Sequence, residues 1–248
     1  MSVSGKHAVV TGGGSGIGLA ITKALSEAGA MVTIMGRNKE RLEKVAENYK
    51  NINVVTVDIT NEDSVNSAIK KTCDIAPIDI LVNNAGDAKS APFHKTDYSS
   101  WQYMINLNLN GTFLMTNAVI TDMRERNSGR IINIASTAGL KGYAFMAPYA
   151  AAKHGVVGLT RAVALELSNT DITINALCPG FTNTDLVNNG LKNIMAKKDC
   201  TREEALKDML STDGQERLIE PEEIAEKVIW LCNNDANGRA ILITGDDR

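Results

Sequence analysis

What most constrains the fold of this 248-residue chain is a rhythm. Short runs rich in valine and isoleucine alternate with longer segments whose apolar residues recur every three or four positions. The runs His7–Thr11, Met31–Met35, Asn53–Val57, Ile78–Val82, Arg130–Ala135, Thr173–Leu177 and Ala240–Thr244 predict strands. Their nearly unbroken hydrophobicity suits strands covered on both faces, as in a parallel sheet. Between them, Ile17, Ile21, Ala24, Leu25 and Ala28 share one helical face, and Gly29 marks that helix's end. Pro221, followed by Glu222 and Glu223, starts another helix, with the acidic residues favoured by its dipole. Repeated strand–helix alternation implies right-handed crossovers. The pattern therefore predicts an α/β protein with a doubly wound seven-stranded parallel sheet. No linker, tandem repeat or low-complexity tract interrupts it, so residues 1–248 read as a single domain.

One stretch breaks the rhythm. Residues 181–220 carry no strand signal, and a polar pattern with interspersed Met and Leu predicts one or two short helices. An insertion of this size just after a strand suits a substrate lid; a surface helical pair without a role is the alternative. Leu186, Leu191, Ile194, Met195, Met209 and Leu210 would give such a lid an apolar, adaptable cover, or would simply pack it onto the body.

Charge and residue usage exclude several classes. A net charge of −3 leaves no basic excess to neutralise phosphates, which argues against a nucleic-acid partner. Met1 to Gly5 lacks the features of a signal peptide, and no apolar run is long enough to span a membrane. A cytoplasmic location without a membrane partner is expected. Cys73, Cys178, Cys200 and Cys232 show no CxxC spacing, and His7, His94 and His154 no ligand spacing, so no metal site is expected.

Two local patterns carry chemistry. Thr11-Gly12-Gly13-Gly14-Ser15-Gly16-Ile17-Gly18 stands between the first strand and the first helix, where glycines permit a tight turn and close backbone approach to a pyrophosphate. Tyr149 and Lys153, four residues apart behind Pro148, share a helix face. A free tyrosine has a pKa near 10, too high for a good base at neutral pH. An ammonium one turn away favours the phenolate and lowers that value. Such pairs arise by chance on many helices, and this one gains weight from what surrounds it.

The spacing TGxxxGxG resembles the short-chain dehydrogenase/reductase family, and the likeness spreads over essentially the whole chain. Asn83-Asn84-Ala85-Gly86 looks like the family's NNAG motif, and Asn108, Ser136, Tyr149 and Lys153 match its Asn-Ser-Tyr-Lys tetrad. Pro179-Gly180 with Thr184 matches its PGxxxT segment at the nicotinamide end. The resemblance implies a Rossmann fold with a helical lid, in a nicotinamide-dependent enzyme that interconverts a carbonyl and a secondary alcohol. Ser136 would orient the carbonyl oxygen and Tyr149 exchange its proton, while Lys153 holds the ribose hydroxyls and Asn108 fixes a relay water. Cofactor contacts are expected from Gly12, Ser15, Gly16, Ile17, Gly18, Arg37, Asn38, Asp58, Ile59, Asn84, Ala85, Gly86, Tyr149, Lys153, Pro179, Gly180, Thr182 and Thr184. Asp58 resembles the family's adenine-contacting aspartate, though a turn-forming role at a strand end fits it equally.

Cofactor, substrate and assembly follow from the same likeness. NAD-selective members place an acidic side chain at the end of the second strand, whereas this chain has Gly36 followed by Arg37. Arg37 can bind a 2′-phosphate with charge-assisted bonds, so NADP(H) is favoured over NAD(H). A solvated arginine at a helix start is the alternative, and Ser15 stands where many phosphate-selective members carry a base. The stretches Ile134 to Gly139 and Ala147 to Gly158 are similar to β-ketoacyl and polyketide ketoreductases, and the long lid to 3-hydroxybutyrate dehydrogenases. A small 3-oxoacyl or 3-hydroxyacyl substrate is therefore expected, lined by Lys89 to His94, Gly139 to Ala147 and the lid. Another secondary alcohol oxidised with NAD, a redox-neutral reaction on the same fold and a non-catalytic NADP(H)-binding regulator remain the competing readings. Lys197, Lys198 and Arg202 could meet an anionic carrier or form a solvated face. The helical patterns Trp101 to Met123 and Ala150 to Leu167 match the family's dimer helices, implying a homo-oligomer, dimer or tetramer. The ending Gly245-Asp246-Asp247-Arg248 departs from the family's Asp-Gly-Gly and puts tail contacts across a tetramer in doubt.

Overall fold

The computed structural model describes residues 2–245, so the three residues after Gly245 lie outside the described ones. Strands β1 (His7–Thr11), β2 (Met31–Gly36), β3 (Ile52–Thr56), β4 (Ile80–Asn83), β5 (Gly129–Ile134), β6 (Ile172–Pro179) and β7 (Ala240–Ile243) form one sheet. Every pairing is parallel, and the order is β3-β2-β1-β4-β5-β6-β7. The sequence expectation of a doubly wound, seven-stranded parallel sheet holds, with strand ends that differ by one or two residues. The strands β1, β4, β5 and β6 are buried along their whole length, which is why they read as unbroken apolar runs.

Helices cover both faces. Helices α1 (Gly16–Glu27), α2 (Lys39–Ala46) and α9 (Pro221–Asn233) pack on one side through Ile21, Leu25, Leu42, Ile224, Val228 and Leu231. On the other side, α3 (Glu62–Cys73), α5 (Gly111–Glu125) and α6 (Ala147–Glu166) bury Val65, Ile69, Met115, Val119, Met123 and Ala164. A polar chain crosses this second core. Asn83 on β4 donates to Thr116 (3.0 Å) on α5 and to Asn133 (2.9 Å) on β5, and Asn133 donates to Thr160 (2.9 Å) on α6. Buried amides linked in this way tie two helices to two strands, although the Asn83 Oδ1 itself has no partner among the described residues.

Helix α4 (Tyr98–Ile105) runs into α5 through a π-helical turn, Asn106–Asn110. Residues 181–220 form α7 (Asp185–Lys198) and α8 (Arg202–Ser211), the helical pair expected. Leu191, Ile194, Met195 and Met209 cluster with Ala205, Phe181 and Val187, so they bind the two helices to each other; Leu186 stays exposed. Lys198 is paired with Asp208 at 2.7 Å, and Arg202 donates to Asn188 at 3.2 Å. No helix among the described residues is long and apolar enough to cross a membrane.

Candidate active site

The sheet order reverses direction between β1 and β4, and the crevice outside their carboxyl ends is where such sheets bind ligands. The loop after β1 lies in that crevice. Gly12 has φ +68°, a conformation that side chains resist, and its amide donates to the Met35 carbonyl at 2.7 Å. Gly18 opens α1 so close to the loop that a Cβ would collide with the Gly12 carbonyl and the Asn84 amide. Ser15 occupies the N-cap of α1 without capping it through its side chain, which leaves the first-turn N–H groups free for an anion. The loop has the shape and free N–H groups that a dinucleotide pyrophosphate needs, so the residues present fit that group.

The loop after β4 supports the cradle. The Asn84 side chain donates to the Thr11 carbonyl (2.9 Å) and the Gly12 carbonyl (3.4 Å), while the Thr11 hydroxyl accepts the Asn84 and Ala85 amides, each at 3.0 Å. Across the crevice, a Cβ on Gly16 would lie 3.3 Å from the Thr184 methyl, so the start of α7 closes the far side. Thr184 caps α7, and Thr182 is buried with its hydroxyl donated to the Gly180 carbonyl at 3.1 Å. Ile59 packs against Gly111 on α5, and Asn38 caps α2 through the Arg41 amide (3.0 Å). Side chains of Asn84, Thr182, Ile59 and Asn38 are thus already engaged, leaving mainly backbone atoms of these residues for a ligand.

At the far edge Arg37 is exposed just after β2. Asp58, beside it at the end of β3, is held below the usual carboxylate range by two bonds from Thr60, with the Arg37 charge adding to them. Arg37 also reaches the Tyr103 hydroxyl, which in turn donates to Asp87 Oδ2 at 3.2 Å. Burial and the Asp87 carboxylate raise the Tyr103 pKa against that arginine.

The tetrad residues converge at the ends of β4, β5 and β6. Ser136 follows β5 in an extended conformation, and its hydroxyl accepts the Ala138 amide at 3.1 Å. Pro148 sits in the first turn of α6, as expected, and places Tyr149 and Lys153 on one face. The Lys153 ammonium lies 5.6 Å from the Tyr149 ring centroid and donates to the Ile134 carbonyl at 2.8 Å. Lys153 is 5% exposed, and burial brings its pKa down to about 8. Tyr149 is half-buried, with its hydroxyl beside Ser136. Burial raises its pKa; the Ser136 hydroxyl opposes this and Asp87 reinforces it. Cys178 on β6 is a buried neighbour of Lys153, its thiol pushed up to about 11 by desolvation.

Asn108 is 1% exposed in the π turn, a feature frequent at functional sites. Its side chain donates to the Asp87 carbonyl (3.0 Å) and Met104 carbonyl (3.0 Å) and accepts the Asp87 amide (3.3 Å). A Cβ on Gly86 would touch both the Asn108 amide oxygen (2.7 Å) and the Lys153 ammonium (3.8 Å), so these groups need a glycine between them. Sequence reasoning missed Asp87 and Tyr103, and it covered Tyr143 and Asp213 only as unnamed members of the lining segment 139–147 and the lid 181–220. Only Asp87 carried a signal, as a carboxylate directly after Gly86. No cluster of three or more potential metal ligands occurs among the described residues.

A glycine loop at the switch point, with half-buried Ser136 and Tyr149 and buried Lys153 beside it, fits an oxidoreductase that works with a nicotinamide dinucleotide. Comparison with known proteins specifies the family: the profile of the short chain dehydrogenases matches residues 6–194, and the chain belongs to that family of NAD(P)-dependent oxidoreductases. It is 39% identical to an acetoacetyl-CoA reductase of Shinella zoogloeoides, over 96% of this chain and 93% of that one. It is 37% identical to an acetoacetyl-CoA reductase of Rhizobium meliloti, over the same shares. A tryptophan variant of actinorhodin polyketide ketoreductase, solved with NADPH, superposes with a TM-score of 0.92 at 32% identity, covering 99% of this chain and 97% of that one. The resemblance read from the motifs is thereby established.

Proposed function

We propose that the protein reduces 3-oxoacyl thioesters to 3-hydroxyacyl thioesters with NADP(H), using Tyr149, Lys153, Ser136 and Asn108. The observation that carries this reading is the convergence of those four side chains beside the glycine cradle. The substrate class rests on the acetoacetyl-CoA reductases that match nearly the whole chain.

A bound nicotinamide would supply the hydride taken up at the carbonyl carbon, or accept it from the alcohol carbon in the reverse direction. Ser136 donates a hydrogen bond to the carbonyl oxygen and orients it. Tyr149 gives its proton to that oxygen; its raised pKa keeps the hydroxyl protonated and so holds the proton that reduction consumes. In the oxidative direction the phenolate must form first, aided by the ammonium of Lys153. Lys153 binds the ribose hydroxyls, and Asn108 holds the water through which Tyr149 is reprotonated. Oxidation of the hydroxyacyl product should accelerate as pH rises towards the tyrosine's titration, and reduction should slow; initial rates in both directions across pH test this.

Arg37 supports the choice of NADP(H), because it is exposed at the end of β2 with no carboxylate on that strand end to repel a 2′-phosphate. Arg37→Glu should lower kcat/KM for NADPH by about 10- to 100-fold and leave that for NADH within about twofold. Equal losses with both cofactors would remove Arg37 from phosphate recognition. A panel of 3-oxoacyl thioesters and simple ketones, followed by cofactor absorbance, tests the substrate class.

The reading extends to self-association through α5 and α6. Phe113 on α5 is 48% exposed and Leu165 on α6 is 77% exposed, apolar surface that a homodimer built on these helices would cover. Sedimentation should show a dimer or tetramer, and Phe113→Glu with Leu165→Glu should dissociate it.

A further inference from the structure

The segment joining α8 to α9 carries a carboxylate buried beside the reacting centre. The Asp213 side chain is 2% exposed. A carboxylate is an acceptor only, and burying one is tolerable when each oxygen is occupied. Both are. The Tyr143 hydroxyl donates to Oδ1, the Thr137 hydroxyl donates to Oδ2 at 3.0 Å, and the Lys141 ammonium lies 2.8 Å from Oδ1. Lys141 also donates to the Thr212 carbonyl at 2.6 Å. All three partners come from the loop between Ser136 and Tyr149.

Two residues on, Gln215 does the matching work on β6's exit. It is 6% exposed, its amide oxygen accepts the Phe181 amide (2.7 Å) and its amide nitrogen donates to the Phe181 carbonyl (3.2 Å). The strap Asp213-Gly214-Gln215 therefore grips Tyr143 at one end and Phe181 at the other. Their rings meet edge to face, with centroids 6.3 Å apart and planes at 88°. Tyr143 lies near enough to Tyr149 for that neighbour to add to the rise in its pKa. Phe181 directly follows Pro179-Gly180 at the end of β6.

We propose that Asp213 is a positioning residue that holds Tyr143 against Phe181 as a rigid wall of the substrate pocket, restricting the acyl group to a short chain. A tyrosine whose hydroxyl is bound to a fixed carboxylate cannot swing aside, so chain beyond the reacting carbonyl meets an aromatic barrier. The chain-length part rests on the 3-oxoacyl reading given above; the fastening of the wall does not.

The test compares Asp213→Asn, Tyr143→Phe and Tyr143→Ala with the unaltered protein, using 3-oxobutyryl-CoA and 3-oxooctanoyl-CoA. The unaltered protein should prefer the four-carbon thioester. Asp213→Asn and Tyr143→Phe should raise its KM about tenfold, with kcat and the NADPH dissociation constant within about twofold. Tyr143→Ala should improve kcat/KM for the eight-carbon thioester about tenfold relative to the four-carbon one. Hydrogen exchange of residues 137–146 and 181–220 in Asp213→Asn, with no substrate present, should quicken while β1, β4 and β5 stay protected. Unchanged exchange together with an unchanged KM would overturn the fastening. An unchanged chain-length ratio in Tyr143→Ala would overturn the wall. Should neither thioester be reduced by the unaltered protein, the 3-oxoacyl reading and the chain-length claim fail together, and the exchange arm alone decides the fastening. If Asp213→Asn does not fold, Tyr143→Phe removes the same bond and carries both arms.

Discussion

Lys153 shows how function and stability pull apart at a single residue. Its ammonium is buried with one backbone carbonyl as its bonded partner in the described structure, and its pKa falls to about 8. Below pH 8 the folded and unfolded chains both carry the charge, and the fold bears the whole desolvation cost. Between pH 8 and the ordinary lysine value near 10.5 the folded chain releases its proton first, so stability rises with pH through that window. Lys153→Met should therefore be the more stable protein at pH 7, by an amount on the order of 3 kcal/mol less the lost bond to Ile134. The difference should shrink as pH rises from 8 to 10.5, while activity is lost throughout. Melting temperatures at a series of pH values measure it, and a less stable Lys153→Met protein at pH 7 would contradict the burial argument.

Elements differ in how plainly they were written in the sequence. The strands were legible because β1, β4, β5 and β6 are buried on both faces and so spell unbroken apolar runs. The π turn at Asn106–Asn110 was not, since one extra residue in a turn leaves the apolar spacing of α4 and α5 intact on either side. The tetrad was legible because its members stand at recognisable spacings near strand ends or on one helix face. Tyr143 and Asp213, 70 residues apart, meet only through packing, and no local pattern reports such a meeting. Likewise Leu191, Ile194, Met195 and Met209 announced a buried face without saying that its partner was the other helix of the pair. The glycine loop makes the sharpest prediction at this scale. Gly18→Ala would press a methyl into the Gly12 carbonyl and the Asn84 amide, so the loop must move. NADPH affinity should fall by about tenfold or more, with the melting temperature of the cofactor-free protein lowered as well. Unchanged binding by fluorescence titration would show that the cradle tolerates displacement.

Across the whole molecule, the sheet gathers residues from distant parts of the chain at one edge. Gly12 to Gly18 arrive from β1, Gly86 from β4, Ser136 from β5 and Gly180 from β6, with α6 laying Tyr149 and Lys153 over them. The proposed hydride transfer needs one proton, which Tyr149 would supply. The most direct test mixes the protein with NADPH and 3-oxobutyryl-CoA and follows nicotinamide absorbance alongside the acyl product. For the native chain, NADPH loss should match 3-hydroxybutyryl-CoA formed, mole for mole. Tyr149→Phe should bind NADPH normally yet turn over about 100-fold or more slowly. Near-native turnover in Tyr149→Phe, or product formed without net loss of NADPH, would contradict the account.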